Sequence, residues 1–125
     1  MNPSQEPPVD TPPVRRFKDP GYVEVAATLA GLRQRIDALD EQIVALLAQR
    51  ALCVRDATRF KRDSFQVSAP ARQAQVFARV RALAATHEAG FPGLSHIVES
   101  TYRTLVAGYI AGEGTFFNET ELIAP

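Results

Sequence analysis

Between Leu29 and Lys61 apolar residues recur at Leu32, Ile36, Leu39, Ile43 and Leu46, stepping by four and three in turn. The same stepping runs on through Arg50, Cys53, Ala57 and Phe60. Steps of this kind set one stripe along a helix with nearly a heptad period. The segment has no proline and one glycine, Gly31, near its start, and Thr28 stands where an N-cap hydroxyl is expected. The pattern predicts one helix of roughly 33 residues, about 50 Å long at ~1.5 Å per residue.

Arg62 to Ala69 breaks the period and reads as a loop, with Ser64 and Ser68 inside it. Pro70 then opens a second helix, in the first turn, where its missing N–H costs nothing. Val76, Phe77, Val80, Leu83 and Ala84 form its apolar face, and Gly90 stops it before the turn Phe91-Pro92-Gly93. A third helix carries Ile97, Val98, Tyr102, Leu105, Val106, Tyr109, Ile110, Phe116 and Phe117. Gly108, Gly112 and Gly114 blur its end, since each costs about 1 kcal/mol relative to alanine unless it permits close helix contact. There is no internal repeat. The expected fold is all-α, three helices per chain with a long first helix.

Three helices so unequal pose a packing problem. A compact domain of this length has a radius of gyration near ~14 Å, and a ~50 Å helix projects beyond what two shorter helices can cover. Its remaining apolar stripe must meet another chain. An intertwined helical homodimer is therefore expected.

Composition narrows the function. The 125 residues carry 14 Lys+Arg against 14 Asp+Glu, so the net charge is zero and the basic excess of a nucleic-acid binder is missing. A hydrophobic content of 46% suits a folded core, and no apolar run approaches the ~18 residues of a membrane span. Cys53 is the only cysteine, which excludes an intrachain disulfide and zinc sites built on cysteine pairs. His87 and His96 make a poor metal cluster. Six of the nine prolines lie in the first twenty residues, which contain no continuous apolar segment of a signal peptide. Residues 1–20 read as a flexible Pro-rich tail ahead of a helical domain at 21–120, and the protein as cytoplasmic.

The residues that break the apolar stripes carry the chemistry. Arg50 stands on the seam between Leu46 and Cys53, and Lys61, eleven residues on, falls about 20° away around a continuous helix and ~16 Å along it. Glu113 lies on the stripe of the third helix, between Tyr109 and Phe116, and Arg72 with Gln73 opens the second. Long cationic side chains can bury their stems and extend their heads into water. Buried charges converging from several helices more often mark a binding site. Arg33, Arg50, Lys61 and Arg72 outnumber Glu113, which suits a small polyanion. Arg33 lies ~25 Å along the helix from Arg50, so it would reach the same ligand only from an antiparallel partner. Cys53 reads as a buried thiol, His87 and His96 as surface or capping residues, and Tyr102 and Tyr109 as core before site.

The segment from Leu32 to Arg50, LRQRIDALDEQIVALLAQR, resembles the first helix of the all-helical chorismate mutase family. Lys61 at eleven residues beyond Arg50, and Pro70-Ala71-Arg72 opening the second helix, fit the same pattern, and the similarity spans about residues 28–117. Two activities share that scaffold. Chorismate mutase rearranges chorismate to prephenate, and isochorismate pyruvate lyase releases salicylate and pyruvate. Both substrates are dicarboxylates carrying an enolpyruvyl ether, both reactions are pericyclic, and the family uses no cofactor.

The resemblance implies that Arg50 and a partner chain's Arg33 clamp the carboxylates. Lys61 would point at the ether oxygen, Arg72 would support the site and Gln73 would approach the ring hydroxyl. Glu113 falls where many members have a glutamine that donates to the ether oxygen. A carboxyl donates only when protonated, so activity should decline as pH rises and Glu113→Gln should flatten the profile. Mutases of the family often have glutamate at the Gln73 position and lyases an apolar residue. Arg59-Phe60-Lys61 and Tyr109-Ile110-Ala111 look more like the lyase. The reading favoured is the mutase, with the lyase second. A dimeric helical interaction module using the Pro-rich tail is the non-enzymatic alternative.

Overall fold

The computed structural model describes residues 6–123 and is helical throughout its regular structure. Helix α1 runs Leu29–Ala57, a single 3₁₀ turn follows at Thr58–Phe60, and α2 is the short Ser64–Ser68. Helix α3 spans Pro70–Ala85 and α4 spans Leu94–Glu119. No strand occurs among the described residues. Pro3, with the rest of residues 1–5, lies outside them; from Glu6 to Thr28 the chain has only turns and bends. The chain divides into two compact units, one up to Ala48 and one from Gln49 onward.

In the first unit the start of α1 is fixed as its sequence predicts. The Thr28 hydroxyl accepts from the Gly31 amide at 3.0 Å, and the Ala30 amide donates to the Val9 carbonyl at 3.0 Å. A Cβ on residue 31 would come within 3.2 Å of that same Thr28 hydroxyl, which accounts for the glycine. Asp19 organises a turn, accepting from Tyr22 through its carbonyl and from Gly21 through its carboxylate, and Phe17 stacks on Tyr22 with ring centroids 4.3 Å apart. No residue of α1 is buried. Ile36, Leu39, Ile43 and Leu46 are each more than half exposed, although they form the apolar stripe.

In the second unit the core lies between α3 and α4. Val76, Phe77 and Val80 from α3 meet Val106 from α4, with Val98, Tyr102 and Ile110 packed around them. Leu83, expected on this face, is instead 54% exposed, because it sits one position round the helix from the buried Val80–Ala84 row. Gly93 adopts a positive φ of 95° at the start of α4, a conformation glycine takes without cost. Gly108, Gly112 and Gly114 are all inside α4, and open space surrounds the place of each missing Cβ, so close contact within this chain does not explain them.

Two boundaries differ from the sequence pattern. The first helix ends at Ala57 rather than Lys61. Thr58 is buried, its hydroxyl donates back to the Val54 carbonyl at 3.5 Å, and the Lys61 amide donates to the Thr58 carbonyl at 3.1 Å. These bonds tighten the chain into a 3₁₀ turn and release it in an extended conformation at Lys61. The expected loop at 62–69 contains α2, capped by the Asp63 carboxylate, which accepts from the Gln66 amide at 2.9 Å. Ala69 joins α2 to α3 in the left-handed region, at φ 44° and ψ 62°. A Cβ is strained there by roughly 1–2 kcal/mol, a cost that holds the α2–α3 joint in a conformation the surroundings must enforce.

Helix α4 has no capping side chain on its own N-cap, Gly93. Glu88 supplies the missing acceptor from upstream. Its two carboxylate oxygens receive the Gly93 amide at 2.8 Å and the Ser95 amide at 2.9 Å. Those backbone bonds, the one from Ser95 first, hold the Glu88 carboxyl below the usual glutamate range. A carboxyl depressed on folding contributes stability that is present at neutral pH and lost as pH falls through its folded-state value. Glu88→Ala is therefore expected to melt below the unmodified chain at neutral pH. Melting curves followed by circular dichroism should converge on acidification, and a gap that persists in acid would mean the cap is not the cause.

Candidate active site

The second unit contains a cavity of about 310 Å³, within the size range of small-molecule sites. Its first wall is the end of α1, where Arg50, Cys53, Val54 and Ala57 lie at steps of three, four and seven on one face. Its opposite wall has the same spacing on α4, from Val106 through Tyr109 and Ile110 to Glu113. Arg72, Gln73 and Val76 from α3 form the third side, and Val67, Ser68 and Ala69 close the α2–α3 corner. The strained Ala69 thus lies in the cavity wall, and Pro70 after it starts α3 so that Arg72 and Gln73 fall in the first turn.

Lys61 enters from the extended residue after the 3₁₀ turn. Its ammonium donates to the Gln66 carbonyl at 3.0 Å and stands 3.5 Å from Glu113 Oε1. Glu113 is only 4% exposed, and a buried carboxyl is costly unless it is paired or protonated. Lys61 supplies that pairing, reaching Glu113 from an extended residue and not from a continuation of α1. The Arg50 guanidinium lies over two rings of α4, 5.2 Å from the centroid of Tyr109 and 5.6 Å from that of Tyr102. Arg72 Nη1 donates to Gln75 Oε1 at 2.5 Å. Gln73 Nε2 donates to the Ser68 carbonyl at 2.6 Å. A carbonyl accepts only from the amide nitrogen, so Gln73 keeps its Oε1 as the acceptor it offers.

Five of the six residues singled out in the sequence, Arg50, Lys61, Arg72, Gln73 and Glu113, line this one cavity. Arg33 belongs to the other unit, on α1, with its guanidinium 3.8 Å from the Glu6 carboxylate and half exposed. Cys53 is not the buried thiol its seam position implied; it is exposed and lines the cavity. Tyr102 packs against the core as expected, whereas Tyr109 is a wall of the site. Spacing puts Tyr109 and Cys53 at helical distance from a charged residue, Glu113 and Arg50 respectively, but that spacing alone does not separate a site wall from a core.

Three cations and one carboxyl facing a cavity of this size suit a small dianion. Arginine can grip a carboxylate through two parallel hydrogen bonds. A lysine ammonium can meet an oxygen on which negative charge develops. No helix among the described residues is long and apolar enough to cross a membrane.

Compared with known proteins, residues 32–113 match the family described as chorismate mutase type II, well over half of the chain. The match contains Arg33 and reaches Glu113, so it takes in all six of the residues singled out in the sequence. No curated protein matches the chain.

Proposed function

The chain belongs to the type II chorismate mutase family, and from that premise we propose that it converts chorismate to prephenate in aromatic amino-acid biosynthesis, in the cytoplasm and without a cofactor. In this rearrangement the ether C–O bond of the enolpyruvyl group breaks as its methylene carbon bonds to the ring, and no atom is gained or lost. The reaction needs no nucleophile. It needs the flexible substrate held compactly, with its reacting carbons near contact, and donors at the ether oxygen as charge grows there.

Arg50 holds one substrate carboxylate, and Arg33 from a second copy of the chain holds the other. Lys61 donates to the ether oxygen. Arg72 supports the carboxylate end, and Gln73 Oε1 accepts from the ring hydroxyl. The assembly is an intertwined helical homodimer, for which the exposed stripe Ile36, Leu39, Ile43 and Leu46 provides the contact face. The catalytic domain is residues 21–120, with the Pro-rich segment ahead of it.

The observation that carries the mutase over the lyase is the hydrogen bond from Gln73 Nε2 to Ser68. With its nitrogen held, the side chain offers an oxygen, as a glutamate would, and an oxygen acceptor is what a ring hydroxyl at that place requires. The lyase reaction would also break the ether bond, but with transfer of a ring hydrogen to the methylene, giving salicylate and pyruvate. Purified protein supplied with chorismate and isochorismate in separate reactions tests the choice. Prephenate from chorismate is expected; salicylate alone would reassign the chain to the lyase, and neither product would leave the interaction module.

Glu113 acts as the second donor to the ether oxygen. Glutamine has the same size and always has an N–H to donate, whereas leucine has none. Glu113→Gln is therefore expected to keep or raise kcat/KM for chorismate, and Glu113→Leu to lower it. A leucine variant as active as the unmodified chain would remove Glu113 from this role.

A further inference from the structure

We propose that Tyr102 and Tyr109 are positioning residues that hold the Arg50 guanidinium through contact with both rings, aimed for a substrate carboxylate. The proposal rests on the reading of Arg50 as a carboxylate clamp. It concerns two side chains whose sequence pattern favours core over site.

The geometry comes from the period of α4. Tyr102 and Tyr109 are seven residues apart, two turns, so both project from the same face with a rise of ~10.5 Å between them. The guanidinium carbon lies 5.6 Å from one centroid and 5.2 Å from the other. The cation is thus in contact with both rings at nearly equal distance. Each contact is within the ~6 Å at which a ring quadrupole attracts a cation. Both tyrosines and Arg50 are partly shielded from water, which strengthens the attraction.

An arginine on a helix face ordinarily has several rotamers in reach, and immobilising it on binding costs affinity. Arg50 has no carboxylate ion-pair partner among the described residues, unlike Arg33, Arg59, Arg81 and Arg103. The rings hold it without occupying its N–H groups with a competing anion. Cation–ring contact leaves the guanidinium edge to donate. Tyr109 also lines the cavity, so the ordered arginine stands at the wall where the ligand arrives. The two rings thus take over a task usually given to an acidic side chain, which in this cavity would repel a dianionic substrate.

Steady-state kinetics with chorismate test this on Tyr102→Leu and Tyr109→Leu, which keep bulk but lose the ring, and on Tyr102→Phe and Tyr109→Phe, which keep the ring. Each leucine variant is expected to raise KM by about five- to twenty-fold with kcat changed much less. The phenylalanine variants should restore KM. Phenylalanine variants as impaired as leucine, or leucine variants that lower kcat at constant KM, would overturn the proposal. A second readout does not depend on turnover. In ¹⁵N–¹H spectra the Arg50 Nε–H resonance, assigned by its loss in Arg50→Lys, should be shifted upfield by the flanking rings. It should move toward the ordinary arginine position in the leucine variants and stay in the phenylalanine ones. A protein inactive on chorismate but with the ring-shifted resonance would refute the proposed activity alone; an unshifted resonance would refute the ring clamp.

Discussion

Lys61→Ala is expected to lower kcat for chorismate by about 10²–10³-fold, the usual consequence of removing one donor from an oxygen that gains charge in the transition state. KM should change far less, because the carboxylate clamps remain. The change also leaves Glu113, 4% exposed, without the ammonium that stands 3.5 Å away. A buried carboxyl left alone takes up a proton or destabilises the fold. Lys61→Met, which keeps the side-chain stem, separates the two effects: a Met variant folded as judged by circular dichroism and as inactive as the Ala variant assigns the loss to the missing charge. If either variant keeps near-normal kcat, the ether oxygen is not met by Lys61. Adding Glu113→Gln to Lys61→Ala should cost little more, since two donors to one oxygen act as a unit and their losses do not sum.

The second large effect joins two chains. Arg33→Ala and Arg50→Ala, each alone, should lower kcat/KM by roughly 10²–10³-fold, the scale for losing one partner of a shielded carboxylate pair. Mixed by unfolding and refolding together, the two inactive proteins should regain activity. Random pairing puts one complete site in each mixed dimer, since one chain supplies the intact Arg33 and the other the intact Arg50. The mixture should recover roughly a quarter of the unmodified activity, given a symmetric dimer with two equivalent sites. Recovery of nothing would mean that Arg33 serves its own chain. Arg33→Ala with full activity would release Arg33 from the site, leaving the Glu6 ion pair at 3.8 Å as its visible role.

Much of this was written in the chain and some was not, for physical reasons particular to each segment. The helical stripes are legible because burial and spacing repeat together, as at Val76, Phe77, Val80 and Ala84 in α3. Thr28 and Pro70 announce helix starts through local chemistry alone, and both stand where expected. The end of α1 was not legible. Arg50, Cys53, Ala57 and Phe60 keep the period past the point where the buried Thr58 draws the chain into a 3₁₀ turn, and that turn depends on a tertiary position. Helix α2 was hidden for a similar reason: five residues carry no period, and only the Asp63 cap signals it. The charged members of the cavity were recognisable because they interrupt apolar stripes. Tyr109 and Cys53 were not, because an aromatic or a thiol on a stripe looks the same whether it faces a core or a ligand.

Helix α1, 29 residues with no side chain buried, has almost no packing energy of its own to draw on, and propensity alone leaves helices marginal in water. Whatever covers its stripe sets its stability. If the cover is a second copy, mass action enters the folding equilibrium itself. The denaturant midpoint should then rise with chain concentration, as it does not for a self-sufficient fold. Cellular abundance becomes a structural variable: a dilute chain would lose its first helix along with its activity, and one assembled at high concentration would be protected from unfolding by its own copies.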